Sequence, residues 1–439
     1  MKLDTAINNV IIVTGDRDYV PFVGSVAISD GKIEYVGNRK FSPDDTRELI
    51  DGSGKVLMPG LINGHCHGDM TLVRGIGDDL TLQEQNELYA GHNWFKEFIT
   101  TGDRYKSRQL TYVEALLNGT TFILENMYWD LDKQSVKAMS QTGIRGGLAL
   151  DIRQDFTMPE IFLADELLKE FRQDCLDNGL VPVVGSISEE DFHAPLLAKI
   201  KRKTDELGLR VTCHLAETDW RKELVSSRHQ DTPISYLSRH GTFDDSVIAS
   251  HVIHATRDEI NLLAENEVKV VSTPLCEMKI ADGTFRGKEM LDAGVVVGLG
   301  TDGALWNNSN DIFREMKGTL LIQTARYGIR AISKKQILDM ATINGAKVFG
   351  LEERIGTVEV GKLADLILID LQRPHLCPIN LGKYENITSL LVNQVTGQDV
   401  TDVFVNGNHV VRDRQLQTLN TLQLMGEMND IHQRIVTQL

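Results

Sequence analysis

The 439-residue sequence predicts a (β/α)8 barrel, together with a β-sandwich that is built from both ends of the chain. Two observations predict the barrel. Short, nearly all-apolar runs alternate with helical stretches across residues 58–356, which is typical of a parallel sheet covered on both faces. Eight such runs in about 300 residues match the size of a (β/α)8 barrel, and a doubly wound open sheet is the alternative for the same pattern.

The eight apolar runs follow one another in chain order. The first is the segment at Leu61, and the others cover residues 120–124, 144–150, 181–185, 210–215, 247–251, 268–272 and 295–300. Each run is short and rich in β-branched or other apolar residues, and helical stretches separate the runs. We therefore expect one barrel of residues 58–356, with functional residues at the carboxyl ends of its strands.

The two ends of the chain are predicted to share one β-sandwich of residues 1–57 and 357–415. Both parts contain short alternating strands separated by turns, and Asn406-Gly407 between two apolar runs is a strong hairpin signal. Neither part holds enough strands to be stable alone, so we expect the two to pair. Residues 416–439 are predicted to form a helical tail that packs on the sandwich or on a partner subunit.

Charge and composition exclude several classes of protein. The formal charge is 46 − 62 = −16, which argues against nucleic acid or an anionic membrane as the main partner, because both attract basic surfaces. No stretch approaches the roughly 18 consecutive apolar residues of a transmembrane helix. The five cysteines are odd in number and form no CxxC pair, so free thiols are expected. Residues 1–5 lack the features of a signal peptide, and we expect a cytoplasmic protein.

Two histidines at the end of the first run indicate a metal site. His65 and His67 are separated by one residue, so on a strand their side chains leave the same face. Two more runs end in a metal-ligating residue type, at His214 and at Asp302. Three imidazoles and one carboxylate suit one divalent ion, Zn²⁺ first and Fe²⁺ second, with a further position open for water.

Two further strand-end residues are candidates for proton transfer. Glu217 lies three residues beyond His214, where its carboxyl group is either a proton carrier beside the metal or an acid that stabilises a helix N-terminus. His251 ends the sixth run and either orients the attacking water or belongs to the core. His254 is expected behind the site or at the surface.

These residues occur in segments that resemble the amidohydrolase superfamily, in its cytosine deaminase-like branch, and especially 5-methylthioadenosine/S-adenosylhomocysteine deaminases and related aminohydrolases. The segments are PGLINGHCHGDMTLVRG (59–75), HLAET (214–218), SHVIH (250–254), GLGTDGALWNNS (298–309), and residues 341–347 and 361–366. The resemblance implies a distorted barrel with one metal ion bound by His65, His67, His214 and Asp302. It also implies that Glu217 is the general acid/base, that His251 orients the water, and that metal-bound hydroxide displaces ammonia from an amidine-like ring carbon.

The sequence departs from this family where the substrate is expected. Residues 184–192 lack the family's His after the fourth strand, and residues 89–104 lack its Pro-x-Glu. Glu277 replaces a neutral amide after the seventh strand and could accept hydrogen bonds from a guanine-, pterin- or triazine-like ring. Arg145 corresponds either to a family Arg that reaches the substrate or to a buried structural Arg.

The loop after Asp302 is predicted to line the mouth of the site. Trp306, Asn307 and Asn308 follow this ligand closely, although Asn307 and Asn308 could equally cap the next helix. Asp78 and Asp79, in the loop after the first strand, either shape the pocket or form a solvated turn.

The predicted function is metal-dependent hydrolytic deamination of an amino-substituted N-heterocycle, which could be a purine or nucleoside, a pterin or a triazine-like ring. Another hydrolysis at the same site, such as triazine dechlorination or cyclic amide opening, is one alternative, and a non-catalytic scaffold of the same fold is the other. The expected partner is a small-molecule substrate, and the sequence leaves open whether the protein forms a homo-oligomer.

Overall fold

The computed structural model describes residues 2–16, 19–85, 87, 98–127, 133–151 and 164–438. The strands of these residues, in chain order, are β1 Leu3–Ile12, β2 Phe22–Ser29, β3 Lys32–Gly37, β4 Thr46–Asp51, β5 Lys55–Pro59, β6 Leu61–Cys66, β7 Thr120–Met127, β8 Arg145–Leu150, β9 Val181–Ile187, β10 Arg210–Leu215, β11 Val247–His251, β12 Lys269–Ser272, β13 Val297–Leu299, β14 Leu366–Asp370, β15 Val400–Val405, β16 Asn408–Arg412 and β17 Gln415–Leu416.

The eight strands β6 to β13 form the predicted barrel. Each pairs in parallel with the next strand along the chain, so the order in the sheet is sequential rather than reversed about a switch point. The backbone N–H groups of Thr301 and Asp302, just beyond β13, donate to the His65 carbonyl at 3.1 and 3.0 Å and bring the last strand back to the first. All eight apolar runs of the sequence are strands, and the (β/α)8 architecture is confirmed.

Helices follow the barrel strands and cover the sheet. The α-helices of the described residues are α1 Leu82–Gln85, α2 Thr101–Leu117, α3 Gln134–Thr142, α4 Asp165–Asp177, α5 Ala194–Leu207, α6 Asp219–His229, α7 Pro233–Arg239, α8 Arg257–Glu265, α9 Pro274–Lys279, α10 Gly287–Asp292, α11 Ile312–Tyr327, α12 Lys334–Ala341, α13 Ile343–Val348, α14 Ile387–Asn393 and α15 Thr421–Val436. Several begin with a capping box, as at Thr100 before α2 and Thr256 before α8. No helix in these described ranges is long and apolar enough to cross a membrane.

The two ends of the chain pair, as predicted, into one nine-stranded mixed sheet. Its order is β17-β16-β15-β14-β5-β1-β2-β3, and β4 pairs with β1. β14 runs antiparallel to β5, which joins the C-terminal strands to the N-terminal ones. The predicted hairpin at Asn406-Gly407 connects β15 and β16, and φ values of 51° and 75° place both residues in the left-handed region that such turns require.

The C-terminal helix α15 packs on the barrel rather than on the nine-stranded sheet. Its Leu424, Met428 and Ile435 join an apolar cluster with residues of α2 and of the turn that follows His67. The His432 ring is 2.8 Å from the Leu72 carbonyl, within that same turn. The sequence did not predict this position, because the apolar face of α15 meets residues more than 300 positions earlier in the chain.

Candidate metal centre and active site

His65 and His67 leave the end of β6 side by side, and both are buried. His65 Nδ1 is held from behind by Ser250 Oγ at 2.8 Å and by Asn126 Nδ2 at 3.1 Å. His67 Nδ1 lies 3.1 Å from the Asn126 carbonyl. Asn126 therefore orients both rings, and the Nε2 atoms point into the mouth of the barrel.

His214 and Asp302 complete the group at the ends of β10 and β13. His214 Nε2 is 3.3 Å from His67 Nε2, and Asp302 Oδ1 lies 3.8 Å from His65 Nε2 and 3.7 Å from His67 Nε2. Asp302 has a φ of 63°, a left-handed conformation that costs a non-glycine residue about 1–3 kcal/mol. The fold holds this strained backbone at the point where the carboxylate meets the imidazoles.

These four residues fit a divalent metal ion. His65 Nε2 is buried and has no hydrogen-bond partner among the residues that the structure describes. Burial, reinforced by the neighbouring imidazoles, holds the pKa of His65 and of His214 well below the usual 6.5, and burial also lowers the pKa of His67. Imidazole binds metal in its neutral form, and three nitrogen donors with one carboxylate are a set that Zn²⁺ accepts.

Glu217 and His251 lie next to each other beside the four ligands. His251 Nε2 is 3.6 Å from Glu217 Oε1 and 3.9 Å from Asp302 Oδ2. Burial lowers the pKa of His251, but the surrounding carboxylates of Glu217, Glu277 and Asp302 outweigh it and raise that pKa to about 10. The ligand atoms of His65, His214 and His251 also lie within 4.8 Å of one another. The structure thus brings a carboxyl group and an imidazole to one side of the candidate metal site.

A small cavity, partly open to solvent, lies above these residues. The described residues that line it are His67, His214, Glu217, Asp302, Arg221, Leu82, Ile280 and Trp306. One wall is therefore polar and the other apolar. The Trp306 ring meets the His67 ring edge to face, with 5.3 Å between the ring centroids.

A model of the Amidohydrolase family matches residues 56–410, which is most of the chain. The chain belongs to the amidohydrolase family. A 5-methylthioadenosine/S-adenosylhomocysteine deaminase of Moorella thermoacetica is 33% identical to it over 411 residues, 92% of this chain and 94% of the relative. A 5'-deoxyadenosine deaminase of Methanothermobacter thermautotrophicus is 34% identical over 409 residues, 92% of each. This amidohydrolase is accordingly an enzyme that hydrolyses carbon–nitrogen bonds.

Solved structures agree with this family. An adenosine deaminase from Xanthomonas campestris with bound zinc superimposes on the amidohydrolase with a TM-score of 0.91 at 27% identity, covering 99% of both chains. An atrazine chlorohydrolase from Arthrobacter aurescens TC1, complexed with zinc, gives a TM-score of 0.87 at 20% identity, covering 98% of this chain and 100% of the other. At that identity the second likeness concerns the fold.

Two residues that were predicted to contact substrate are held in the wall of the amidohydrolase site. Glu277 is buried behind His251 and accepts hydrogen bonds from Thr273 N at 2.8 Å and Ser272 Oγ at 3.2 Å. Asn307 donates to the Thr301 carbonyl and to Glu315, both at 2.7 Å. Neither residue is among those that line the cavity. Trp306, which was also predicted to lie at the substrate, does line the cavity.

The remaining candidates lie around the rim. Asn308 Nδ2 donates to Asp78 at 3.1 Å, and Lys279 Nζ pairs with the same carboxylate at 2.7 Å, which ties the loop after β13 to the loop after β6. Asp79 follows with a φ of 64°. The His254 ring contacts the Asp282 carbonyl at 2.9 Å and Asp219 at 3.2 Å. In the segment 89–104, where the family's Pro-x-Glu is missing, residues 89–97 lie outside the described part of the chain.

Arg145 is not part of the site that the structure assembles. It begins β8, whereas the ligands stand where their strands end, and its guanidinium binds Asp365 through two hydrogen bonds of 2.6 and 3.1 Å. The Arg145 side chain is 12% exposed and that of Asp365 is 2% exposed. Arg145 thus joins the barrel to the nine-stranded sheet, at the end of the barrel opposite to the metal ligands. This contact agrees with a buried structural Arg, one of the two roles that the sequence allowed.

Replacing Arg145 with Ala is expected to lower the free energy of unfolding by about 3–5 kcal/mol, because it leaves the Asp365 carboxylate buried without its partner. The activity of the folded fraction should not change, since Arg145 is remote from the cavity. Urea unfolding and kcat/KM measure the two effects. The exposed pair Arg39–Asp45 supplies the control, and Arg39→Ala should cost less than about 1 kcal/mol. A normal stability with a raised KM would instead place Arg145 at the substrate.

The residues that orient the metal ligands and the Glu217 carboxylate were not predicted from the sequence. Asn126 lies near the end of β7, and the same strand-end rule that found the histidines could have found it. Arg221 follows Glu217 by four positions, in the first turn of α6, and contacts its carboxylate. Glu189 and Glu190 follow β9 in a short 3-10 helix, and no local pattern connects them with Glu217.

Proposed function

We propose that this protein is a zinc-dependent hydrolytic deaminase of an amino-substituted N-heterocycle, with adenine nucleosides as the first class to test. One observation carries the proposal: Glu217 and His251 lie beside a convergent set of three histidines and one aspartate, and His67, His214, Asp302 and Glu217 of this group line one cavity. The relatives named as deaminases of adenosine derivatives support the choice of substrate. Zinc bound in solved relatives, and a nitrogen-rich donor set, support zinc over iron.

His65, His67, His214 and Asp302 would hold the metal. When bound, such an ion lowers the pKa of a coordinated water towards neutrality and so supplies a nucleophile at neutral pH. The protein side chains then control the protons and the position of the ring. Trp306 and Ile280 bound the apolar side of the cavity, where a flat heterocycle would lie over His67.

In the proposed reaction, Glu217 carries the proton. The oxygen of water bonds to the ring carbon, and the bond from that carbon to the exocyclic nitrogen breaks. Glu217 accepts one proton from the water and delivers it to the departing nitrogen, which leaves as ammonia. The second proton of the water ends on the ring nitrogen next to the new carbonyl group. His251, with its raised pKa, donates from Nε2 towards the developing charge on oxygen.

A substrate panel tests this proposal. Zinc-loaded protein is assayed against adenosine derivatives, free purines, pterins and triazines for release of ammonia, chloride and ring-opened acid. We expect ammonia and the corresponding oxo-heterocycle, with the highest kcat/KM among adenine nucleosides. Release of chloride or of a ring-opened acid without ammonia would favour another hydrolase. No turnover across the panel with fully metal-loaded protein would favour the non-catalytic scaffold.

One other prediction stays a proposal. We propose a cytoplasmic location, which the five free cysteines support because disulfides are rare in that compartment, and four of these thiols are buried. Cell fractionation tests it. The sequence left a homo-oligomer open, and light scattering of the purified protein would measure the molar mass.

A further inference from the structure

The carboxylate of Glu217 is held by a buried arginine. Arg221 lies four residues after Glu217, in the first turn of α6, and forms an ion pair with Glu217 Oε2 through its Nη1 atom. The other side of the guanidinium binds Glu190 Oε1, at 3.0 Å from Nε and 3.0 Å from Nη2. Arg221 is only 7% exposed and lines the active-site cavity beside Glu217. Its planar fork therefore connects two carboxylates in one rigid arrangement.

The backbone before Glu217 is held by a second carboxyl group from the same loop. Glu189 accepts a hydrogen bond from Ala216 N, and the Ala216 carbonyl accepts one from His254 N at 2.9 Å. Ala216 has a φ of 48°, in the left-handed region, so this backbone needs support from its surroundings. Burial, together with the nearby carboxylates of Glu190 and Glu217, raises the pKa of Glu189 to about 8 although Arg221 opposes it.

Glu189 and Glu190 belong to the loop after β9, where this sequence departs from the family. That departure was expected to reshape the substrate pocket. The structure instead directs both residues towards the chain segment that carries Glu217, and neither is among the described residues that line the cavity.

We propose that Arg221, anchored by Glu190, is a positioning residue that holds Glu217 in the orientation needed for proton transfer. With Oε2 bound to Arg221, Oε1 is directed to the side of His251 Nε2, 3.6 Å away, and of the metal ligands. A glutamate in an open cavity would otherwise sample several rotamers, and loss of alignment by about 1 Å can cost about 10²-fold in rate. This inference rests on the proposed function, because it assumes that Glu217 transfers the proton.

Four variants of the zinc-loaded enzyme test the proposal: Arg221→Ala, Arg221→Lys, Glu190→Gln and, as a control, Arg228→Lys. Arg228 lies on the same helix and donates to the Glu190 backbone carbonyl at 3.0 Å, so it contacts the loop without touching Glu217. We expect Arg221→Ala to lower kcat by about 10²-fold, with a smaller change in KM and full zinc content. Arg221→Lys and Glu190→Gln should fall between this variant and the wild type, and Arg228→Lys should stay within about twofold.

Chemical rescue separates positioning from a structural effect. Millimolar guanidinium ion, far below denaturing concentrations, should restore part of the kcat of Arg221→Ala, whereas sodium chloride at equal ionic strength should not. If Arg221→Ala keeps its kcat, or if its loss of kcat follows a loss of zinc and is not rescued, the proposal is wrong. If that variant does not fold, Glu190→Gln decides, because it removes the charge of the anchor and keeps the arginine.

A second measurement needs no substrate. In crystal structures of zinc-loaded wild type and Arg221→Lys, we expect the Glu217 carboxylate to turn away from His251 in the variant only. An unchanged Glu217 rotamer would overturn the positioning role. If the wild-type enzyme turned over no compound of the panel, the proposed function would fail, and the crystal structures would still decide whether Arg221 positions Glu217.

Discussion

Replacing His65 with Ala is expected to remove most of the bound metal and nearly all of the activity. His65 is buried at the centre of the candidate site, with Nδ1 held by Ser250 and Asn126 and with Nε2 directed at Asp302. Loss of a residue that merely orients a ligand costs about 10–100-fold in metal affinity or activity. Loss of a ligand should exceed this, so we expect kcat/KM to fall by well over about 100-fold. Metal analysis and the ammonia assay measure both quantities on one sample.

The matched control is His254→Ala, since His254 lies on the same rim and contacts Asp282 and Asp219 rather than the ligand group. It should retain its metal and most of its activity. Chelation of the wild-type protein should reproduce the His65→Ala result, and added Zn²⁺ should reverse the chelation but not the substitution. A His65→Ala protein with full metal content and normal kcat would show that the metal, if present, is bound elsewhere.

Replacing Glu217 with Gln is expected to lower kcat by about 10²–10⁴-fold, the usual contribution of a general acid or base. The amide keeps the size of the side chain and still offers an oxygen to Arg221, but it cannot accept the proton of the water. Because Glu217 is not one of the four predicted ligands, zinc content should change little, whereas the free energy of unfolding should fall, since the buried Arg221 loses one of its two charged partners. Steady-state kinetics, metal analysis and thermal unfolding of the same preparation measure these effects.

Glu223→Gln is the control for this substitution, because Glu223 is an exposed residue of α6, the helix that follows Glu217. It should behave as wild type in all three measurements. A Glu217→Gln enzyme with normal kcat would remove Glu217 from proton transfer. A loss of zinc equal to the loss of kcat would instead make Glu217 a ligand.

The sequence predicted the architecture well because its signals are local. Each barrel strand is a short apolar run between helices, and this pattern indicates a sheet that is buried on both faces. The Asn406-Gly407 hairpin was equally clear, because few residue pairs adopt two successive positive φ values. The position of α15 was not predictable in this way, since its apolar face meets the barrel through contacts that are distant in sequence.

In the candidate site, too, local signals were predictable from the sequence and contacts between distant segments were not. Strand ends on one side of a barrel converge, so the types and positions of His65, His67, His214, Asp302, Glu217 and His251 were enough to predict that the structure would bring them together. Glu277 also follows a strand end, but its carboxylate turns back to the Thr273 backbone instead of facing the cavity. Arg145 lies at the N-terminal end of its strand, away from the metal ligands, where it binds Asp365.

By itself, the sequence determined the fold class, the pairing of the two chain ends and which residue types stand at the strand ends. Those features follow from the alternation of apolar and polar residues along short segments. Only the tertiary structure decided which polar side chains face the cavity and which ones hydrogen-bond to the residues that line it. Glu189, Glu190 and Asn126 contact partners in other segments of the chain, and a buried polar group must find its partner wherever the fold places one. The spacing of residues within one segment of the sequence does not predict such contacts.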